Sequence, residues 1–202
     1  MQNTTIRFTI PDKANIDIEK YLYSIKQLII KERESDPTVV LHSDQEIISK
    51  YHSSIIWLID SDIIANSSIY PTNMKPLNNL ILWWEKINVW ESWSVIIHPD
   101  FRWKWFWKEI TKTSLQTFSP SYDIIIWATV NAIMYNLRLS QWFEEIPFPQ
   151  ELYEEWKKFL SPLMHWWVQE FEARAKCMML NINLSTKQKQ ELISILQTQN
   201  IS

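Results

Sequence analysis

Glycine is absent from this chain of 202 residues. An average chain of that length holds about 14, at roughly 7% usage. Without glycine, the chain has no cheap way to place residues at positive φ in turns and helix C-caps. Cysteine is almost as scarce. The single thiol, Cys177, excludes an intramolecular disulfide framework and fits a reducing cytoplasm. Its expected role is that of a small buried hydrophobe, not a nucleophile. No apolar run approaches the roughly 20 residues that cross a bilayer, and MQNTTIRFTIPDK at the N-terminus lacks the apolar core of a signal peptide. Strong charge of one sign is missing too. Twenty Lys and Arg against 23 Asp and Glu leave a net charge of −3, no footprint for nucleic acid or an anionic membrane. His42 and His52 share no ligand spacing with cysteine or carboxylates, so no metal is expected. The expectation is a soluble cytoplasmic protein with neither nucleic acid nor membrane as partner.

Tryptophan is what the chain has in excess, at 13 residues. Several stand where the sequence reads as turn. Trp83-Trp84 separates Leu80-Ile81-Leu82 from Glu85-Lys86, a natural place for Gly-Gly. Trp166-Trp167 follows Ser161-Pro162 in a loop-like stretch, and Trp142 follows a helical pattern ending near Gln141, where a C-cap glycine is usual. These placements point to one codon, UGA, rendered as tryptophan although the source organism reads it as glycine. A true aromatic surface, such as a platform for sugars or lipids, is the competing expectation. It requires rings clustered on one face.

Apolar residues at 46% and charged residues at 21% match an ordinary globular protein, long enough for one domain with a full core. Ile18, Tyr21, Leu22, Ile25, Leu28 and Ile29 predict a helix over 15–34. Ser43 with Glu46 predicts a capping box. Residues 54–60 and 62–70 read as two strands meeting near Asp60-Ser61. One strand is predicted from Glu91 to His98, ended by Pro99. A helix over 104–118, a buried strand over 123–129 and a helix over 131–141 complete an α/β unit with neighbouring parallel strands. Residues 171–179 alternate, with Phe171, Ala173, Ala175, Cys177 and Met179 on one side, and predict a half-buried strand. Ser185 with Gln188 caps a last helix carrying Leu192, Ile195 and Leu196. Lys157-Lys158 reads as a solvated helix face.

The stretch ESWSVIIHPDFRWKWFWKEI, residues 91–110, carries the chemistry. A strand runs through a basic turn directly into a helix. Backbone N–H groups at a helix N-terminus converge on one spot, where the helix dipole favours negative charge. With glycine at 103, 105 and 107 the backbone can approach a pyrophosphate closely, and Arg102, Lys104 and Lys108 add positive charge. No GK[ST] element follows, so this is not a P-loop. It is not a dinucleotide G-x-G-x-x-G either. The run Arg102-Trp103-Lys104-Trp105-Phe106-Trp107, with glycine restored, resembles the R/Q-x-x-G-x-G/A loop of the GNAT (general N-acetyltransferase) superfamily. The likeness continues through residues 124–146, where Trp142-Phe143 matches the family's G-F element. Together the two segments span 91–146; the N-terminal 80 residues and the C-terminal part carry no signature.

The resemblance implies an α/β (α+β) fold with a mixed, mostly antiparallel central sheet, a parallel splayed strand pair and flanking helices. It implies a single domain over 1–202, with an acetyl-CoA-binding core at about 91–146 and a C-terminal extension at about 150–202. It implies an acyltransferase that moves acetyl from acetyl-CoA to a primary amine of a small molecule or protein, without metal. Residues 102–108 then hold the pyrophosphate, the backbone of Ile96 and Ile97 meets the pantetheine and thioester, and Asn131 contacts the pantetheine arm. Glu91 matches a frequent general-base position. The family's proton donor is often a Tyr four residues before G-F. Here that register holds Arg138, with Tyr135 nearby as the candidate acid. His98 and His165 are read as structural and surface residues. CoA binding without turnover, or a literal aromatic-rich binding module, are the alternatives. The acceptor is not readable, and a homodimer is the assembly common among relatives.

Overall fold

The computed structural model describes residues 6–35, 39, 41–74, 77–92, 95–102, 104–118, 121–129, 132–154 and 175–199. In chain order its strands are β1 (Ile6–Thr9), β2 (Ser54–Ile59), β3 (Asp62–Pro71), β4 (Ile81–Leu82), β5 (Glu85–Lys86), β6 (Val89–Ser92), β7 (Ile96–Ile97), β8 (Ile124–Thr129), β9 (Glu144–Ile146) and β10 (Lys176–Asn181). The helices are α1 (Ile18–Ser35), α2 (Asp44–Ser49), α3 (Lys104–Phe118), α4 (Ala132–Leu139) and α5 (Thr186–Gln199). The chain divides into two compact units, residues 1–70 with 92–119, and residues 71–91 with 120–202.

In the first unit β1, β2 and β3 form an antiparallel sheet, and β7 pairs antiparallel with β3. Asp60, at φ 54, opens the tight loop that joins β2 to β3. The α1 helix starts where the Asp17 carboxylate accepts the Lys20 N–H at 2.7 Å. It buries Tyr21, Ile25, Leu28 and Ile29, the i, i+4, i+7, i+8 stripe of an amphipathic helix. That stripe packs with Ile47, Ile56, Leu58, Ile63 and Ile96. At its centre the Tyr21 hydroxyl meets Ser54 Oγ at 2.7 Å, and burial pushes the phenol up to about 12. The expected capping box opens α2: Glu46 N–H reaches the Ser43 hydroxyl while Ser43 N–H reaches the Glu46 carboxylate. Helix α3 turns Phe106 and Ile110 into a second cluster with Ile55, Trp57, Ile64, Val95 and Ile97.

In the second unit β6, β8, β10 and β9 lie side by side. The β6–β8 pair is parallel, with Val89 opposite Ile124 and Glu91 opposite Ile126, and β10 runs antiparallel to both β8 and β9. The β4–β5 hairpin adds a small separate sheet. Val89, Ile124, Ile126, Cys177 and Met179 point into one cluster with Leu82 and with Leu192 and Leu196 of α5. The second predicted box is present, with Gln188 N–H on the Ser185 hydroxyl and the Gln188 amide oxygen on Ser185 N–H. Every described pairing except β6–β8 is antiparallel, so the mixed, mostly antiparallel, helix-flanked fold expected from sequence is present.

Two expectations are corrected. The strand from Glu91 to His98 is two strands: β6 pairs in parallel with β8, and β7 pairs antiparallel with β3. Strand β10 is not half-buried: Met178 and Leu180 are buried along with Cys177 and Met179, so both faces are covered. Phe171, Glu172, Ala173 and Arg174 lie outside the described residues, as do Asn131, Lys157-Lys158, His165 and Trp166-Trp167.

Candidate active site

The strand-to-helix passage is built in the first unit. Strand β7 ends at Ile97, His98 caps the next turn, and Pro99–Phe101 make that 3-10 turn, whose fixed proline φ suits its first position. The His98 Nδ1 accepts the Asp100 N–H at 3.3 Å and Nε2 meets Lys31 Nζ at 2.8 Å, which makes His98 a structural cap. Arg102 closes the turn with its N–H on the Pro99 carbonyl at 3.3 Å. Trp103 lies outside the described residues, and α3 begins at Lys104. The first N–H groups of this 15-residue helix have no partner within the helix, and they carry the positive end of its dipole. Phe106 is 1% exposed, edge-on to Trp57, so its side chain anchors α3 and only its backbone is available to a ligand. Trp107 packs partly buried against the same cluster, while Lys108 is exposed one turn into the helix. The side chains of Lys104 and Trp105 are outside the description.

The side chains of Ile96 and Ile97 are both core, one in each cluster of the unit. The Ile97 backbone is the informative part. Its N–H donates to Glu32 Oε2 at 3.2 Å, and its carbonyl accepts Arg102 Nε at 3.3 Å. Arg102 Nη2 stands 3.5 Å from Glu32 Oε1. One α1 carboxylate and the loop arginine thus bracket a single strand residue. Glu32 was not foreseen from sequence, since a glutamate on a helix carries no mark of the backbone amide it will meet. Beside this turn, a groove of about 350 Å³ is lined by Tyr23, Gln27, Lys31, Asp62, His98 and Phe101 among others.

The second unit holds the titratable candidates. The Thr72 hydroxyl donates to Glu91 Oε1, and Thr72 Oγ1 accepts the Met74 N–H at 3.1 Å. Thr72 N–H is itself tied to the Val89 carbonyl at 3.0 Å. The carboxylate is therefore held by Thr72, a residue only 5% exposed whose hydroxyl and backbone N–H are each tied to a further backbone group. Thr72 carried no signal in the sequence, being one polar residue after a proline. Cross-strand register puts Glu91 on the same face as Ile126 and Met179. Cys177 is buried, and burial pushes its thiol well above the ordinary range, with the Glu91 charge acting in the same direction.

On α4, Tyr135 donates to Glu145 Oε2 at 2.8 Å, which raises its pKa, and Lys176 Nζ holds the other Glu145 oxygen at 2.9 Å. Arg138 is 1% exposed. Its guanidinium lies 4.7 Å from the Trp127 ring centre and 5.1 Å from that of Phe143. Burial lowers its pKa to about 9. Trp127 alternates with Ile126 along β8, so Arg138 covers the sheet face opposite the one that carries Glu91. Among the described residues no group of three His, Cys, Asp or Glu could hold a metal ion, and no helix is long and apolar enough to cross a membrane.

No protein-family model matches the chain, and no curated protein matches it. Solved structures do match by fold. A diaminobutyrate acetyltransferase from Paenibacillus lautus, solved with L-2,4-diaminobutyric acid and coenzyme A, is 10% identical with a TM-score of 0.59, over 91% of this chain and 99% of that one. The NatC complex bound to Gag peptide and CoA is 13% identical with a TM-score of 0.59, over 88% and 99%. The ribosomal-protein-S18-alanine N-acetyltransferase from Escherichia coli is 9% identical with a TM-score of 0.53, over 91% and 97%. At these identities the likeness is one of fold.

Proposed function

We propose that this chain, which has the fold of the GNAT acetyltransferases, transfers acetyl from acetyl-CoA to a primary amine by direct attack. The observation that carries it is the passage from β7 through one 3-10 turn, closed by Arg102, into the N-terminus of α3. A helix N-terminus favours an anion, and this one stands at the position of the motif that resembles the acetyl-CoA loop. Glycine at 103, 105 and 107 opens the backbone there, with Lys104 and Lys108 adding charge. Asn131 and the backbone of Ile96 and Ile97 serve the pantetheine. For the Ile97 N–H this requires Glu32 to let go.

In the reaction the amine nitrogen forms a bond to the thioester carbon, and the carbon–sulfur bond breaks. Glu91, oriented by the Thr72 hydroxyl, takes the proton the amine must lose, directly or through water. Placing amine and thioester in attack geometry supplies much of the acceleration. Tyr135 is the phenol on α4 that can return a proton to the thiolate, although its bond to Glu145 holds that proton more tightly. Arg138, buried in the register of the family's usual Tyr, favours a second reading, CoA binding without turnover. The acceptor is an amine-bearing small molecule or protein, and the setting is a single-domain cytoplasmic protein, as a monomer or homodimer.

The test is an acetyl-CoA titration by calorimetry on the chain with glycine at all thirteen Trp positions, beside the chain as written. Binding by the glycine form supports the proposal, and acetylated product from an amine panel separates turnover from binding alone. No binding by either form overturns it.

A further inference from the structure

Five described residues have positive φ, and none is glycine: Asn15, Asp60, Trp83, Trp84 and Trp142. Asn and Asp visit the left-handed region readily, because their short side chains bond to nearby backbone. Asn15, at φ 54, closes a 3-10 turn with its N–H on the carbonyls of Pro11 and Asp12. Tryptophan has no such compensation. Its Cβ crowds the following carbonyl, and a bulky residue at positive φ is an outlier.

The three tryptophans fill two different motifs, and each motif calls for glycine on its own account. Leu82 pairs with Glu85 and Ile81 with Lys86, which leaves a two-residue hairpin loop of Trp83 at φ 52 and Trp84 at φ 69. Positive φ at both central residues is the type I′ turn, whose twist matches the flanking strands and whose residues are Asn-Gly, Asp-Gly or Gly-Gly. At the end of α4, Trp142 N–H bonds to the Leu139 carbonyl and Phe143 N–H to the Arg138 carbonyl, both at 3.2 Å. Those paired bonds are a Schellman cap. Trp142 at φ 70 is its left-handed residue, the position where glycine is the usual occupant.

Burial does not account for the indoles either. Trp83 is 54% exposed, Trp142 89% and Trp84 97%. An aromatic platform selects rings for a shared face, whereas these three are distinguished by the backbone beneath them. Trp57, Trp90, Trp105, Trp107 and Trp127 have ordinary φ, which glycine also adopts.

We infer that residues 83, 84 and 142 are glycine in the protein as its own cell makes it, one triplet, UGA, being read there as glycine. The composition agrees independently: thirteen tryptophans and no glycine stand where about 14 glycines are expected at roughly 7% usage. This inference stands whether or not the chain is an acetyltransferase. The experiment is peptide mass spectrometry of the protein purified from its source organism, over the peptides that contain 83–84 and 142, together with the triplets of the gene. Glycine at all three, encoded by UGA, is the expected result. Tryptophan in any of the three peptides, or UGG at any of the three triplets, overturns it.

Discussion

Replacing the exposed tryptophans of the two turns with glycine is expected to stabilise the recombinant chain. A non-glycine residue in the left-handed region costs about 1–2 kcal/mol. Glycine gives back about 0.4–1 kcal/mol of that through the extra freedom of the unfolded chain. At Trp142 the indole is 89% exposed, so little burial is lost and the net gain is about 1 kcal/mol. At Trp83 and Trp84 two penalties are relieved together. Trp83, however, has Lys187 Nζ 5.0 Å from its ring centre, an exposed contact worth about 0.5 kcal/mol. The net there is also about 1 kcal/mol. For a chain of this size each kcal/mol moves the melting temperature by about 2–4 °C, so the triple glycine variant is expected to melt about 4–8 °C higher. Thermal unfolding followed by circular dichroism measures it. Alanine at the same positions is the control, because it discards the indole and keeps the Cβ. Alanine variants that gain as much as glycine variants, or glycine variants that melt lower, refute the reasoning.

Glu91→Gln in the glycine form is expected to lower kcat/KM about 10²–10⁴-fold near neutral pH, with partial recovery at high pH where the amine is already deprotonated. An unchanged rate removes Glu91 as base. Thr72→Val is expected to lower the rate less and to displace the pH profile, and Thr72→Ser to restore both; identical profiles for all three end its positioning role. His42 is lowered to about 4 from an ordinary 6.5, mainly by burial, with Lys50 adding to it and Glu46 opposing. The folded protein therefore binds this proton less readily than the unfolded chain. Its share of stability is complete above pH 6.5 and is lost as pH falls toward 4, by on the order of 3 kcal/mol in total. Denaturant titrations across that window should show a flatter acid limb in His42→Gln than in the parent; parallel limbs contradict the assignment. Cys177, with its thiol pushed up by burial, should resist a thiol reagent in the folded protein and react once unfolded. Rapid labelling of the native state argues against its burial.

Local chemistry was the legible part of this chain. Ser43 with Glu46 and Ser185 with Gln188 announced two capping boxes, and both are formed. The turn at Trp83-Trp84 and the cap at Trp142 were readable because their neighbours stop being periodic there. Partner choice was legible only in part. The strand–helix–strand order did foretell the parallel pairing with β8, but nothing in the run from Glu91 to His98 says that it breaks in two and that Ile96–Ile97 pairs with β3 instead. Burial of β10 on both faces was missed for a related reason, as Lys176, which suggested an exposed face, only opens the strand, and Cys177 to Leu180 after it are apolar on both faces. The short strands β1 and β9 offered too few residues for a period to show. At the candidate site the motif residues stood out, while Glu32 and Thr72 did not. Their roles come from what they meet across 65 and 19 positions of sequence.

Fold and chemistry respond differently to a tryptophan written for a glycine. At 83, 84 and 142 the backbone turns outward and the indole goes into solvent, so the cost is a local dihedral penalty that a full core absorbs. The clusters around α1, α3 and α5 draw mainly on Ile, Leu and Val, so most of the packing survives translation under either code. An anion loop has no such margin. A phosphate must come within hydrogen-bond reach of successive N–H groups, and any Cβ between them lengthens that approach. A chain made with tryptophan at 103, 105 and 107 is therefore expected to fold while binding acetyl-CoA poorly. Folding without binding in the chain as written, set against binding in the glycine form, is the signature that separates a damaged loop from a protein that never used one.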